Sequence, residues 1–477
     1  MKESVVDVAS SIPQEIAGAL ESGYFSLHIK GGAGTGKTTA ALEIARLFPE
    51  DSQAVYVSTR VSPDKLYKKF PWSKSCIHQE NILDTGTSLF DRGEENILRY
   101  VDKLSLLKNL YYIVSSKTKH STIIMDNLEA LKSSLNTPKN DFSMERNIIE
   151  ICERMNAGII FISESSDDSE LDYFVDGVVR LEKEIVNNRL VRKIYIEKTQ
   201  GRKIENPVYL FTLKDGRFTC FEKGVPINVT TPELPKAEKD KGGKVSTSIP
   251  ELDDILGGGF ERGTFNVFEV GEKVGVAHFY LMIPMFLGFI FQGYPVFTIP
   301  SKGLNVSDIP KNVLSSISTD DTLKKLRKYF YLFRPLRTNI RSRDTTRNEY
   351  YIRGINFNED LNSFRELAVN VLDGVKADTL FVEMATDTME YIYGSRDLPK
   401  IIQAWVGEVK QLKGIMILFQ FEHESNKLPI HLASSYFKIE NIDGNIVVYG
   451  EIPKTKMYVA TLDLTGMIPY TRLVPIE

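Results

Sequence analysis

The chain has 477 residues, room for two or three ordinary domains that each bury a core, and its 42% hydrophobic and 26% charged residues are those of a globular protein. A formal net charge of -4 argues against a whole-chain polyanion binder, so any nucleic-acid contact has to be local. Cys76, Cys152 and Cys220 lie far apart with no C-x-x-C pair, which speaks against a disulfide framework and a zinc site.

The N-terminus carries acidic residues and no long apolar run, so a secretory leader is not expected and a reducing cytoplasm is the expected location. Residues 24–29 alternate like a half-buried strand, and residues 39–47 hold helix formers at helical spacing. Between them Gly31-Gly32-Ala33-Gly34-Thr35-Gly36-Lys37-Thr38 is a complete G-x-x-x-x-G-K-[ST] phosphate loop. Glycines let backbone N–H groups turn inward around phosphates, and the helix N-terminus adds partial positive charge. The pattern predicts a nucleotide bound by residues 31–39, Thr39 included, with Lys37 on the terminal phosphates and Thr38 ligating Mg²⁺; ATP is the expected one, with GTP the alternative, since no N-K-x-D-like guanine motif is present and adenine contacts are not legible.

Further apolar strands at residues 54–58, 122–125 and 158–163 alternate with helical stretches at 63–70, 94–115 and 144–156, which implies a mostly parallel sheet covered on both faces. Thr122-Ile123-Ile124-Met125-Asp126 is an apolar strand ending in a carboxylate, so Asp126 is expected to hold the magnesium shell directly or through water. Residues 178–181, 192–197, 208–212 and 218–221 read as antiparallel strands, with Asn187-Asn188 and Asp215-Gly216 as turns. Residues 232–244, charged, rich in Pro and Gly and without periodicity, read as a linker between a first domain, 1–231, and a second, 245–477.

The second half opens with Ser246-Thr247-Ser248-Ile249-Pro250-Glu251-Leu252-Asp253-Asp254-Ile255-Leu256-Gly257-Gly258-Gly259-Phe260. This run resembles the opening segment of KaiC-type domains of the RecA superfamily, which leads into a first core strand, here residues 265–270, and its phosphate loop. The loop that follows is degenerate: counting from Gly271, the second glycine is Val276, the lysine Ala277 and the hydroxyl residue His278. Glu383 ends a candidate acidic strand at residues 379–383 in place of the usual Asp. The most apolar stretch, residues 279–291, is short for a membrane span, contains Pro284 and reads as a buried core helix, so no membrane contact is expected. Residues 415–419, 445–449 and 457–462 supply further strands. The expected fold is α/β: two tandem RecA-like P-loop domains, each a mostly parallel sheet with helices on both faces and antiparallel strands at its C-terminal end, the second without nucleotide.

The run Ser58-Thr59-Arg60-Val61-Ser62-Pro63 resembles the P-loop domain of the archaeal gas-vesicle regulator GvpD, a KaiC relative. In KaiC-like proteins glutamates at this strand end orient the attacking water; Arg60 and Val61 stand there instead, and arginine cannot take a proton from water. Arg60 either touches the γ-phosphate or makes a structural ion pair, and Glu80, Asp84 and Glu129 are candidate substitutes for the base. Residues 172–181 also look KaiC-like, and Lys198-Thr199-Gln200-Gly201 is similar to the K-x-R-G segment that sends cations to a neighbouring subunit's nucleotide, with Gln200 in place of the arginine. That likeness implies a homo-oligomer through the first domain with Lys198 acting in trans; an ordinary solvated hairpin is the alternative. Together the resemblances imply a KaiC/GvpD-like regulatory ATPase with slow or conditional hydrolysis, against a non-hydrolysing ATP-dependent scaffold or a RecA-type DNA-handling ATPase. Between Lys324 and Arg353 ten Lys or Arg face two acids, with Tyr329, Phe330, Tyr331, Phe333, Tyr350 and Tyr351 interleaved. That stretch suits nucleic acid, an acidic protein partner or a solvated loop.

Overall fold

A computed structural model describes residues 11–20, 24–47, 54–58, 62–84, 103–115, 121–223, 243–302, 320–335, 348–421, 430–463 and 470–477. Most of the expected linker and the Arg60-Val61 pair lie outside them. The chain divides into two compact units, Met1–Glu222 with Ile476–Glu477, and Lys223–Pro475.

In the first unit the strands are β1 (Ser26–Lys30), β2 (Ala54–Ser58), β3 (Ile82–Asp84), β4 (Thr122–Asp126), β5 (Gly158–Ile162), β6 (Gly177–Val186), β7 (Arg189–Thr199), β8 (Val208–Thr212) and β9 (Thr219–Cys220). They form one sheet in the order β3-β2-β4-β5-β1-β6-β7-β8-β9. Pairing is parallel from β3 through β6 and antiparallel from β6 to β9. Side chains alternate between two faces: Val55, Val57, Ile123 and Met125 pack on one side with the helices Lys103–Ser115 and Ser143–Met155, and Tyr56, Ile124 and Ile160 on the other with the helix Lys37–Arg46. Two-faced burial explains why these strands read as unbroken apolar runs. The β6–β7 hairpin is longer than its apolar residues suggest, and it turns on Asn187 and Asn188, both at positive φ (50° and 58°), as a type I′ turn requires.

The second unit holds a short β10–β11 pair (Lys244–Val245, Phe260–Glu261), then β12 (Phe265–Val270), β13 (Val296–Ile299), β14 (Phe330–Pro335), β15 (Glu349–Ile352), β16 (Phe381–Ala385), β17 (Ile415–Phe421), β18 (Ser435–Ile442), β19 (Asn445–Ile452), β20 (Tyr458–Asp463) and β21 (Tyr470–Pro475). Its sheet order is β15-β14-β13-β16-β17-β12-β18-β19-β20-β21. With the edge strand β15 set aside, this is the first unit's order, strand for strand. The helical stretch Gly275–Gln292 is apolar enough to cross a membrane by length and composition, yet residues 281–290 are buried, in a core that holds Phe268, Phe381 and Ile417.

Candidate functional site

The phosphate loop leaves β1 at Gly31 and enters the helix Lys37–Arg46 through Gly36. Gly31, Gly34 and Gly36 have φ of 148°, 74° and 102°. A Cβ on Gly31 would stand 2.3 Å from the Leu181 carbonyl oxygen, so close backbone passage as well as dihedral freedom demands glycine there. Lys183 Nζ and Arg192 Nη1, from β6 and β7, donate to the Ala33 and Gly34 carbonyls at 3.1 Å each and tie the loop's outer rim to the sheet. Thr35 Oγ1 donates to the Gly32 carbonyl at 2.9 Å. Thr39, in the first turn of the helix, is buried.

Lys37 is buried, and its ammonium donates to the carbonyls of Gly31 (2.6 Å) and Gly32 (2.8 Å). Burial lowers its pKa; the carboxylates of Glu164, then Asp126 and Glu129, oppose that shift in part. Thr38 Oγ1 donates to Asp126 Oδ2 at 2.7 Å, and the buried Tyr56 hydroxyl donates to the same oxygen at 2.6 Å. Burial, and then the Asp126 charge, hold the Tyr56 phenol protonated as that donor. The site therefore pairs a glycine-built cradle with a hydroxyl and a carboxylate, hard oxygens suited to Mg²⁺, and these residues fit a magnesium nucleotide: Lys37 for phosphate, Thr38 and Asp126 for the ion.

Asn127 follows Asp126 through a cis peptide and caps the helix Leu128–Ser134, its Oδ1 accepting from the Ala130 N–H at 2.8 Å. Its Nδ2 donates to Glu164 Oε1 at 2.8 Å, while Glu129 Oε1 accepts from the Glu164 N–H at 3.0 Å. Of the candidate bases with described side chains, Glu129 is the one whose charge acts on Lys37; Glu80 is exposed, and the Asp84 side chain and Arg60 lie outside the described residues. Sequence reasoning does not single out Glu164. It follows the apolar run of β5, as Asp126 ends β4, and that parallel between neighbouring strand ends is the signal that marks it.

Behind the loop, on β1, His28 Nδ1 lies 2.6 Å from Asp172 Oδ1 and its Nε2 2.7 Å from Ser163 Oγ. Lys30, 1% exposed, is met by Asp168 (3.1 Å), Asp172 (3.1 Å) and Glu197 (2.8 Å). Lys198 donates to the carbonyls of Asp172 (2.9 Å) and Val175 (2.6 Å), capping the short helix Leu171–Phe174. In the β6–β7 ladder it is level with Val178 and so with His28, before the phosphate loop; within its own chain it does not face the loop, and reaching a neighbour's nucleotide requires giving up those carbonyls.

The second unit's loop is built differently. The N–H groups of Val274 and Ala277 bond to the loop's own carbonyls, Gly271 and Val274, at 3.1 Å each, and Gly275–His278 winds into a 3₁₀ turn. His278 is buried 2.8 Å from the Gly275 carbonyl, its ring 4.1 Å from Phe279 and 5.4 Å from Phe421; burial lowers its pKa and keeps it neutral. Glu383 does not end its strand. In the first unit Ile29, two residues before Gly31, is level with Asp126 through Ile162. In the second, Glu269, two before Gly271, pairs with Gln420, one past the Phe419–Ala385 rung, so Thr386 stands at Asp126's level and Glu383 three residues short, buried in mid-strand.

The basic stretch divides. Lys324, Arg327 and Lys328 are exposed on the helix Asp320–Tyr329, and Arg353 is exposed; Arg337, Arg341, Arg343 and Arg347 lie outside the described residues. Most of the aromatics are engaged in packing: Tyr331 and Phe333 are buried with Phe297 and Phe364, Tyr350 stacks on Phe333 at 5.6 Å, Tyr329 and Phe330 pack on the opposite face, and Tyr351 is partly exposed. Period-two alternation on β14, a strand with two covered faces, accounts for their spacing.

Residues 21–197 match the family described as GvpD gas vesicle protein, P-loop domain. Two proteins of Halobacterium salinarum align over more of the chain. Protein GvpD1 is 28% identical over 309 residues, 61% of this chain and 57% of its own length; Protein GvpD2 is 26% identical over 293 residues, 58% of each. The chain therefore spans less than three fifths of the length of these relatives. Residues 21–197, which carry the intact phosphate loop at the end of β1, are thus similar to the P-loop domain of GvpD gas vesicle proteins, a domain type that implies nucleotide binding, and the second unit repeats the first sheet's strand order.

Proposed function

We propose that this protein is a nucleotide-gated regulator in gas-vesicle biology: Mg-ATP occupies the first unit only, and the loaded and unloaded states differ in assembly and in partner binding. The observation that carries this reading is the contrast between two sheets of one strand order. One keeps Lys37 and the Thr38–Asp126 pair; the other has closed its loop on His278. A domain that retains the fold but not the chemistry serves as scaffold or sensor for the one that does. The relatives' family name supports the gas-vesicle setting. Bound magnesium supplies charge neutralisation at the β- and γ-phosphates. Hydrolysis is slow or conditional on assembly, well below the typical enzyme turnover of about 10 per second, because Arg60 and Val61 occupy the usual carboxylate places and Gln200 that of a trans cation.

The exposed cations Lys324, Arg327, Lys328 and Arg353 suit an acidic protein partner better than nucleic acid, since of the neighbouring rings Tyr329, Phe330, Tyr331, Phe333 and Tyr350 pack in the core. Calorimetry with Mg-ATP and sedimentation with and without it test the proposal together. Saturable binding that Lys37→Ala removes, with a nucleotide-dependent change of sedimentation, is expected. Binding that persists in that variant overturns the site; binding with identical sedimentation and identical partner capture in both states overturns the gating.

A further inference from the structure

Among the described residues the carboxylates of Glu164, Asp126 and Glu129 act on Lys37, and each has a distinct place. Asp126 Oδ2 accepts from Thr38 and Tyr56, the arrangement of a metal-side carboxylate. Glu129 Oε1 accepts the backbone N–H of Glu164 at 3.0 Å and that of Ser165 at 3.4 Å, so it fixes the start of the loop after β5. Glu164 is the strongest of the three in its pull on Lys37, and its carboxylate is exposed, held at Oε1 by Asn127.

Its place in the sheet is equally specific. β5 lies between the strand that ends in Asp126 and the strand that feeds the phosphate loop, and Ile162 is level with both Asp126 and Ile29. Two residues further on, Glu164 emerges at the carboxyl edge of the parallel strands, between the two chain segments that hold Lys37 and Asp126; ligands of open parallel sheets bind at that edge. The chain beneath it is anchored: Ser163 Oγ meets His28 Nε2, and His28 Nδ1 meets Asp172, with Ser163 and His28 both buried.

We propose that Glu164 is the water-orienting carboxylate of this domain, with Asn127 and Glu129 as positioning residues; the proposal rests on the reading that the first unit binds Mg-ATP. In the step assigned to it, a water oxygen forms a bond to the γ-phosphorus as the bond from that phosphorus to the β–γ bridging oxygen breaks. One water proton passes to Glu164 and then to solvent, the other stays on the inorganic phosphate, and ADP leaves with the bridging oxygen. A carboxylate at the end of β5 thus takes the task that Arg60 and Val61 cannot perform at the end of β2.

The test is single-turnover phosphate release from the full chain with Mg-ATP, beside calorimetric binding. Glu164→Gln keeps an acceptor for Asn127 and is expected to bind Mg-ATP within about twofold of the unaltered protein while phosphate release falls about 100-fold or more. Asn127→Ala is expected to lower kcat with KM retained, a split that a merely structural loss would not give, and Glu129→Gln to lower release by less than Glu164→Gln. Release at the unaltered rate from Glu164→Gln overturns the assignment. So does an order in which Glu129→Gln is the variant that abolishes release, or binding by the unaltered protein with no release at all; in those cases the nucleotide-binding reading stands. Absence of binding by the unaltered protein removes the site itself.

Discussion

Thr38 Oγ1 and Asp126 Oδ2 meet at 2.7 Å although 88 positions separate them in sequence. The contact joins the first turn of the helix after the phosphate loop to the end of β4, with β5 lying between β4 and the loop's own strand. A hydroxyl that donates to a carboxylate presents its oxygen lone pairs outward, which is the disposition a hexacoordinate oxygen-liganded ion needs. Tyr56, donating to the same Oδ2, fixes the carboxylate from the sheet side.

From this pairing Thr38→Ala is expected to separate magnesium from nucleotide. Lys37 and the glycine cradle remain, so metal-free ATP should bind that variant about as it binds the unaltered protein, while the gain in affinity on adding Mg²⁺ should shrink by about tenfold or more, roughly 1.4 kcal/mol. Isothermal calorimetry with and without EDTA measures both. An unchanged magnesium gain would mean that Thr38 is not an ion ligand.

Much of this site was legible in the sequence because a phosphate loop is contiguous: eight adjacent residues carry the cradle and the lysine, and Asp126 ends an apolar run that only a two-faced parallel sheet explains. Glu164 and Asn127 were not singled out, because their hydrogen bond joins the ends of β4 and β5, and the acid after the β5 run gains meaning only once strand order makes those ends neighbours. Glu383 misled for a related reason: an acid after an apolar run looks like a strand end, yet the run continues through Met384 and Ala385, and register places the acid inside. The aromatics between Tyr329 and Tyr351 looked available for stacking because interleaved charges break up their alternation, which belongs to β14 and β15.

One nucleotide per chain is the expected stoichiometry, and restoring the missing lysine alone should not raise it. Ala277→Lys would return a cation to the second unit, but the N–H groups of Val274 and Ala277 already bond inward and His278 is packed among Phe279, Phe419 and Phe421. The cradle, not merely the charge, is gone. Calorimetry on the double variant Lys37→Ala, Ala277→Lys should show no Mg-ATP binding; a restored site would show that the turn at Gly275–His278 opens readily.

Glu383 gives the second unit a pH signature. Burial, with some repulsion from Asp387, raises its pKa from 4.5 to about 8, against the opposing hydrogen bond from Thr298. Between the unfolded value and that of the folded protein, the folded chain holds a proton that the unfolded chain has released. Stability contributed by the neutral acid is therefore complete below the unfolded pKa and is lost as pH rises towards 8, at up to about 1.4 kcal/mol per pH unit. Glu383→Gln keeps a neutral, hydrogen-bonding side chain and should flatten this fall: thermal unfolding measured from about pH 5 to pH 8 should show the variant losing less Tm than the unaltered protein. Parallel curves would place the charged carboxylate in the fold after all.

The exposed face of the helix Asp320–Tyr329 offers the last test. Lys324, Arg327 and Lys328 project from it, while Leu326 and Tyr329 pack against the core and Lys325 lies over the Phe291 ring at 4.7 Å. Replacing Lys324, Arg327 and Lys328 by Ala removes three charges and leaves the core packing in place, so the helix itself is retained and stability should change by about 0.5 kcal/mol or less per position. If the surface docks an acidic protein, the triple variant keeps Mg-ATP binding but loses capture of an acidic polypeptide probe such as polyglutamate, and adding salt to the unaltered protein weakens capture in the same way. If it docks nucleic acid, the unaltered protein binds single-stranded DNA with a steep salt dependence, and the variant's slope falls by about 0.7 for each phosphate that the missing cations no longer neutralise. With Tyr331 and Phe333 buried and Tyr329, Phe330 and Tyr350 packed against the core, the first outcome is expected; equal capture of polyglutamate by both proteins would return the helix to an ordinary solvated face.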